Sequence, residues 1–182
     1  MDGLDRLTVQ LYRSGLGLAA VALTAIAVLL AMADRLAGGD RMLTIAWLVF
    51  AAATGLSTHH LHIYDKRFRW FVGAVTWFGY FLMIVSSRVG PSAGHFLFCA
   101  GVGFLSVALS TFALKEQFCF KVPLQRLVPL SLIVGVFSHL AHVDHLAAAA
   151  YGVAAVCYII LITAKLRMPL HYDIGKKEAY QI

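Results

Sequence analysis

The sequence predicts an all-α membrane protein, a polytopic bundle of six transmembrane helices in a single domain. Of its 182 residues, 60% are hydrophobic and only 13% are charged, and the mean hydropathy is +0.79. The charges cluster in gaps between apolar runs of about 20 residues, the length that crosses roughly 30 Å of hydrocarbon as a helix. Strands are not expected, because apolar and polar residues do not alternate with a period of two.

The first three predicted spans comprise residues 11–33, 42–62 and 68–87. The first has the form of a signal-peptide core followed by the small residues Ala31 and Ala33, but we expect it to be kept as a span. Arg41 precedes the second span, and Lys66 with Arg67 precedes the third. Each charged gap therefore predicts a return to the membrane surface.

The last three predicted spans comprise residues 94–114, 127–142 and 146–166. The fifth is the shortest, and Pro129 lies in its first turn, where a helix tolerates proline. Residues 114–126 mix phenylalanines with charges. We expect that segment to lie in the interface between membrane and water.

The distribution of lysine and arginine predicts the orientation of the bundle. Of the 15 basic residues, only Arg35, Arg41 and Arg88 fall on one side, and the other twelve fall on the side of the two termini. Because cytoplasmic loops carry the excess of Lys and Arg, this bias places both termini in the cytoplasm of a bacterium, with the protein in its inner membrane. The net charge of +6 reflects this orientation. No polar domain exists to carry a nucleic-acid site.

The familiar catalytic and transport signatures are missing. The sequence contains no GxGxxG, P-loop, GxSxG or HExxH motif, so an enzyme is not favoured. Acidic residues lie at the edges of the predicted spans and not at their middle, which disfavours ion-coupled transport. Cys99, Cys119 and Cys157 have no CxxC spacing and predict free thiols.

The eight histidines are the feature that indicates chemistry. One cluster lies at the end of the second span and contains His59, His60 and His62. The other lies on the opposite face and combines the start of the fourth span with the end of the fifth and the turn after it; it contains His95, His139, His142, Asp144 and His145. Neutral imidazoles with a carboxylate can bind copper or zinc, which predicts a transition-metal site in the second cluster.

Two other interpretations of the histidines remain open. His95 facing His139 or His142 could ligate a b-type haem, as in membrane electron-transfer proteins. Alternatively, the histidines only cap helix ends and lie among the headgroups.

The two histidine clusters also suggest a repeat. Thr58-His59-His60-Leu61-His62 resembles Ser138-His139-Leu140-Ala141-His142 at an offset of eighty residues, and the same offset places spans one to three on spans four to six. With three spans per half the two halves would be inverted, as in many transporters. A small transporter is therefore a third candidate function, beside the metal-binding protein and the haem protein.

Two charged loops carry a family resemblance. His62-Ile63-Tyr64-Asp65-Lys66-Arg67-Phe68-Arg69-Trp70, Lys115-Glu116-Gln117-Phe118-Cys119-Phe120 and the opening Leu4-Asp5-Arg6-Leu7-Thr8-Val9 resemble a family of uncharacterised bacterial integral membrane proteins. The resemblance implies a multi-span inner-membrane protein and no particular activity.

The same loops suggest a surface where a membrane-protein partner docks, with aromatic anchors and basic residues that steer the approach. Its residues are Lys66, Arg67, Arg69, Trp70, Lys115, Glu116, Phe118 and Phe120. Alternatively, these side chains hold the helices at the headgroup layer. We therefore expect a binding or accessory protein of the lipid bilayer that binds a transition metal.

Overall fold

The computed structural model describes residues 3–33, 38–61, 63 and 65–174, and it confirms the all-helical class. Within these ranges there is no strand. The α-helices are α1 (Gly3–Ala31), α2 (Gly39–His59), α3 (Lys66–Ser86), α4 (Pro91–Phe120), α5 (Leu127–Leu140) and α6 (Asp144–Arg167). A short 3-10 helix, Leu170–Asp173, follows α6.

The helices form a closed ring in the order α2, α1, α6, α5, α4, α3. Helix α1 packs along both α2 and α6, α5 lies between α6 and α4, and α3 packs along α4 but only lightly on α2. The core between them is apolar, with Leu16, Leu23, Phe112 and Leu161 fully buried. The ends of the helices therefore lie at the two opposite ends of this ring-shaped bundle.

Five of the described helices, all except α5, are long and apolar enough to cross a membrane. Their outward faces carry large hydrophobic side chains that a soluble protein would bury, such as Trp77 (60% exposed) and Ile84 (64% exposed). Lipid is the solvent that suits such faces. Helix α5 has 14 residues, which is about 21 Å of helix.

Two glycines allow α3 and α4 to approach each other closely. A Cβ atom on Gly101 would lie 2.8 Å from the carbonyl oxygen of Gly79, and one on Gly79 would lie 3.0 Å from the oxygen of Gly101. Small residues at such crossings are expected in membranes, because lipid gives helices no hydrophobic reason to associate. The backbones of α3 and α4 are therefore in direct contact.

The first half of residues 114–126 continues helix α4 beyond the predicted end of the fourth span. Helix α4 continues through Phe120 and ends at Lys121, whose backbone is left-handed (φ 55°). The extension places Glu116 among other polar groups of the bundle, where it is fully buried, as described below.

Candidate functional site

Helices α4 and α5 bring two of the predicted histidines together at one end of the ring, which we call the histidine end. The ring centres of His95 and His139 are 5.4 Å apart. Cys99 lies one turn after His95 on α4, and its Sγ is 3.7 Å from His95 Nε2. Ligand atoms of these three residues all lie within 4.8 Å of one another.

This spacing is close to what one metal ion requires. Tetrahedral zinc has bonds of about 2.0–2.1 Å to nitrogen and about 2.3 Å to sulfur, which separates ligand atoms by about 3.5 Å. The Cys99–His95 distance of 3.7 Å already fits, and the widest separation must close by roughly 1 Å. His95 Nε2 also lies 3.2 Å from the carbonyl oxygen of His139, a contact that metal ligation would replace.

A carboxylate lies next to His139. Asp144 is the first residue of α6 and does not cap that helix with its side chain. Its Oδ1 is 3.7 Å from Nδ1 of His139, and this Nδ1 is buried without a hydrogen-bond partner. Carboxylates in this position orient metal-binding imidazoles and raise their basicity.

The inner wall of the histidine end is aromatic and carries unpaired polar atoms. Trp47 is 3% exposed and lies between His139 and Tyr151, with ring centres 5.7 and 5.4 Å away. Its Nε1 and the Tyr151 hydroxyl are buried without hydrogen-bond partners, as is His139 Nδ1. An unsatisfied buried polar atom costs roughly 1–3 kcal/mol. Three such atoms therefore lie among the residues of the histidine end.

His142 has an unusual backbone that places its ring over His95. It follows α5 with φ 57°, and the N–H groups of His142 and Val143 donate to the carbonyls of His139 and Ser138 at 3.1 and 2.8 Å. This hydrogen-bond pattern ends many helices, and glycine usually occupies the left-handed position. The imidazoles of His142 and His95 stack with centres 4.3 Å apart and planes at 17°.

Four of the five predicted metal residues therefore lie together, and one does not. His95 and His139 converge, His142 covers His95, and Asp144 contacts His139, whereas His145 is exposed and outside the group. The sequence interpretation missed Cys99, which it assigned to packing. The signal was the spacing of four between His95 and Cys99, which places both side chains on one face of a helix.

The other predicted histidine cluster does not assemble in the described residues. The exposed ring of His59 packs against Trp77 at 5.8 Å. His60 Nδ1 is 2.8 Å from the carbonyl oxygen of Leu56 in its own helix. His62 lies outside the described residues. Across the ranges given above, His95, Cys99 and His139 are the one group of three that could hold a metal.

The opposite end of the ring, where α4 and α6 finish, contains a buried ion network. We call it the basic end. Lys165 of α6 is fully buried and pairs with Glu116 of α4 at 2.6 Å and with Asp173 of the 3-10 helix. Arg13 of α1 pairs with the other oxygen of Asp173, at 2.7 Å from Nε. The hydroxyl of Tyr12 donates to Glu116 at 2.9 Å.

Aromatic rings and main-chain carbonyls complete this network. The ammonium of Lys165 lies 3.9 Å from the ring centre of Phe120. That of Lys115 lies 4.7 Å from the ring centre of Tyr12. The Arg13 guanidinium also donates to the carbonyls of Lys165, Met168 and Pro169 at 2.7, 2.9 and 3.1 Å. The network therefore ties α1, α4, α6 and the 3-10 helix together.

The network corrects part of the predicted docking surface. Glu116 is 0% exposed and the Lys115 side chain is 11% exposed, so both face the network and not a partner. Phe120 is partly buried and packs against Lys165. The remaining members lie at the surface or partly so; they are Lys66, Arg67, Arg69, Trp70 and Phe118.

Similarity to known proteins supports the membrane class. Residues 56–182 match the family model described as uncharacterised integral membrane protein, DUF2301. An uncharacterised protein of Haemophilus influenzae is 33% identical over 190 aligned residues, which cover this whole chain and 95% of the relative. No solved structure matches the chain. The resemblance noted in the sequence is thus confirmed, and the chain belongs to the DUF2301 family of integral membrane proteins.

Proposed function

We propose that the protein is an inner-membrane binding or accessory protein that holds one transition-metal ion at its histidine end. The observation that carries the proposal is the convergence of His95, Cys99 and His139 within 4.8 Å. Asp144 lies beside His139, with Oδ1 3.7 Å from Nδ1, where a small movement would let the carboxylate orient the imidazole. Three protein ligands leave a fourth position for an exchangeable group.

The ligand set favours zinc or copper over other metals. Thiolate is a soft ligand and imidazole a borderline one, a combination that suits zinc and monovalent copper. Haem is less well supported, because the ring of His95 lies only 4.3 Å from that of His142 and 5.4 Å from that of His139, which leaves no space for a porphyrin between either pair. The metal ion therefore takes precedence over the electron-transfer alternative.

We place six helices across the membrane, with both termini in the cytoplasm. Helix α5 is short, but residues at its two ends, Pro129 and Leu140, line one groove with α4 that extends from Phe96 to Leu114. That stretch of α4 covers about 27 Å, nearly the hydrocarbon thickness. The excess of basic residues at the basic end supports the orientation.

The inverted repeat remains part of the proposal in a restricted form. The repeat would make α1, α2 and α3 equivalent to α4, α5 and α6. The α1–α6 contact would then correspond to the α4–α3 contact, and both contacts are extensive. The light α2–α3 contact would correspond to the α5–α6 contact, which is much larger. The packing therefore supports the symmetry for the α1–α6 and α3–α4 pairs but not for the α2–α3 and α5–α6 pairs, and a transporter function rests on that support alone.

An accessory role would use the exposed part of the predicted docking surface. Trp70 and Phe118 are 72% and 71% exposed at the basic end, with Lys66 and Arg67 nearby in sequence. Exposed aromatics among basic residues are typical anchors for a partner.

Metal titration of the purified protein in detergent tests the proposal. Every variant carries Cys119→Ser, because Cys119 is an exposed free thiol that would bind metal on its own. We expect one tightly bound Zn²⁺ or Cu⁺ per chain. Asp144→Asn should weaken binding about 10- to 100-fold, and Cys99→Ser should weaken it more. His145→Ala is the matched control and should change nothing. Absence of stoichiometric binding, or equal affinity in Cys99→Ser and the control, overturns the proposal.

A further inference from the structure

Two buried cations at the basic end converge on a single carboxylate. The Arg13 guanidinium meets Oδ2 of Asp173, with Nε at 2.7 Å and Nη2 at 2.5 Å. The Lys165 ammonium meets Oδ1 of the same carboxylate. Each oxygen therefore has its own cation, the arrangement by which proteins recognise carboxylate groups. The Asp173 side chain is 0% exposed.

Both cations have further partners that hold them in place without Asp173. Nη1 of Arg13 donates to the main-chain oxygens of Lys165 and Met168, where the carbonyls at the end of α6 attract positive charge. Lys165 is held by Glu116 at 2.6 Å, and Glu116 by the Tyr12 hydroxyl. The cationic half is thus preorganised on α1, α4 and α6.

The Asp173 carboxylate, in contrast, belongs to a short segment after α6, Leu170–Asp173, which we call the arm. Asp173 ends a four-residue 3-10 helix that begins directly after Pro169. In this helix His171 and Tyr172 are exposed, the latter by 54%, and Asp173 is the buried member. Ile174, the next residue, is buried as well (7% exposed), so the arm attaches to the bundle through Asp173 and this apolar side chain.

The charge balance shows why an anion is needed at this position. The network contains three cations, Arg13, Lys115 and Lys165, and two anions, Glu116 and Asp173, so its formal charge is 3 − 2 = +1. Removing Asp173 raises the formal charge to 3 − 1 = +2. Buried charge without a counter-charge is strongly unfavourable, so the cations would bind another anion of the same shape.

We propose that Arg13 and Lys165 form a carboxylate-binding site that Asp173 fills as an intramolecular ligand. The arm is then an autoinhibitory contact, and its release opens the site to a carboxylate-bearing molecule or peptide from the same side of the membrane. This site is independent of the metal proposal, because it lies at the other end of the ring.

Chemical rescue of full-length Asp173→Ala tests the site. Thermal unfolding is followed in detergent at constant ionic strength while acetate replaces chloride, with acetamide as the neutral control. Acetate should raise the midpoint of the variant in a saturable way, and at 100 times its Kd it should lower the unfolding constant about 100-fold. Wild type should not respond, because Asp173 occupies the site. Arg13→Met combined with Asp173→Ala should lose the acetate response.

Three results would overturn the proposal. They are equal effects of acetate and acetamide, an equal acetate effect on wild type, and a folded Asp173→Ala protein without any acetate response. If Asp173→Ala does not fold, Asp173→Asn is titrated instead, since it keeps the shape and one oxygen of the side chain. Failure of the folded Asn variant to show an acetate-specific response equally overturns the proposal.

Discussion

Replacing Lys165 with methionine should destabilise the protein by about 3 kcal/mol, even though methionine suits an apolar surrounding. Lys165 is fully buried between Glu116 and Asp173, and both carboxylates are fully buried as well. Removing one partner of a buried ion pair costs roughly 3–5 kcal/mol, because it leaves an uncompensated charge. We expect the lower limit, since Asp173 keeps Arg13 and Glu116 keeps the Tyr12 hydroxyl. The unfolding constant should then rise by about two orders of magnitude.

The assay is unfolding of the purified protein in mixed detergent micelles, followed by tryptophan fluorescence. Arg167→Met is the matched control, because Arg167 is a basic residue of the same helix end but is exposed. Its effect should stay within about 0.5 kcal/mol. Glu116→Gln in the Lys165→Met background removes the carboxylate that has lost its nearest cation, so it should recover part of the loss. A Lys165→Met protein as stable as the Arg167→Met control would refute the existence of the buried network.

Two further substitutions test the packing of the bundle by thermal unfolding. Gly101→Ala should destabilise the protein by about 1–3 kcal/mol, because the new methyl group would meet the backbone of α3. Gly73→Ala is the control and should be neutral or stabilising, because nothing lies within 4 Å of its new methyl group. Equal effects of the two substitutions would contradict the close α3–α4 crossing. His142→Gly should stabilise the protein by about 1 kcal/mol by relieving the left-handed backbone. A loss of stability would mean that the stack on His95 outweighs the strain.

Hydropathy predicted the helices well because that signal is local. Runs of about 20 apolar residues between charges indicated α1, α2, α3, α4 and α6, and the structure has helices at all of these positions. The helix starts contain local signals too: Asp65 accepts hydrogen bonds from the N–H groups of Arg67 and Phe68 and caps α3. Such pairs are three residues apart or less, so they can be recognised from the sequence.

The ion network could not be recognised in this way. Arg13 and Asp173 are 160 positions apart, and Tyr12 and Glu116 are 104 apart. A charged residue near the end of a span looks the same in a sequence whether water or another helix neutralises it. Arg13 and Lys165 were therefore assigned to orientation, and Glu116 to a docking surface, although all three are buried.

The histidine end lies between these two cases. The sequence predicted that His95 and His139 lie at the same depth, because both fall at span ends on one side of the membrane. It could not tell that α4 and α5 are neighbours, which brings the rings to 5.4 Å. Cys99 was missed because an isolated cysteine in an apolar run is typical of packing, and its spacing of four from His95 gained meaning only with the distance of 3.7 Å between them.

The central claim is that Cys99 and the two histidines bind one metal ion, and cobalt substitution tests it most directly. Co²⁺ is added to the detergent-purified Cys119→Ser protein, and its absorption spectrum is compared with that of the same protein carrying Cys99→Ser. We predict a thiolate-to-cobalt charge-transfer band together with the visible bands of a tetrahedral site, both saturating at one ion per chain. Loss of the charge-transfer band in Cys99→Ser would establish the sulfur ligand. A spectrum without that band, or one that Cys99→Ser leaves unchanged, would contradict the account.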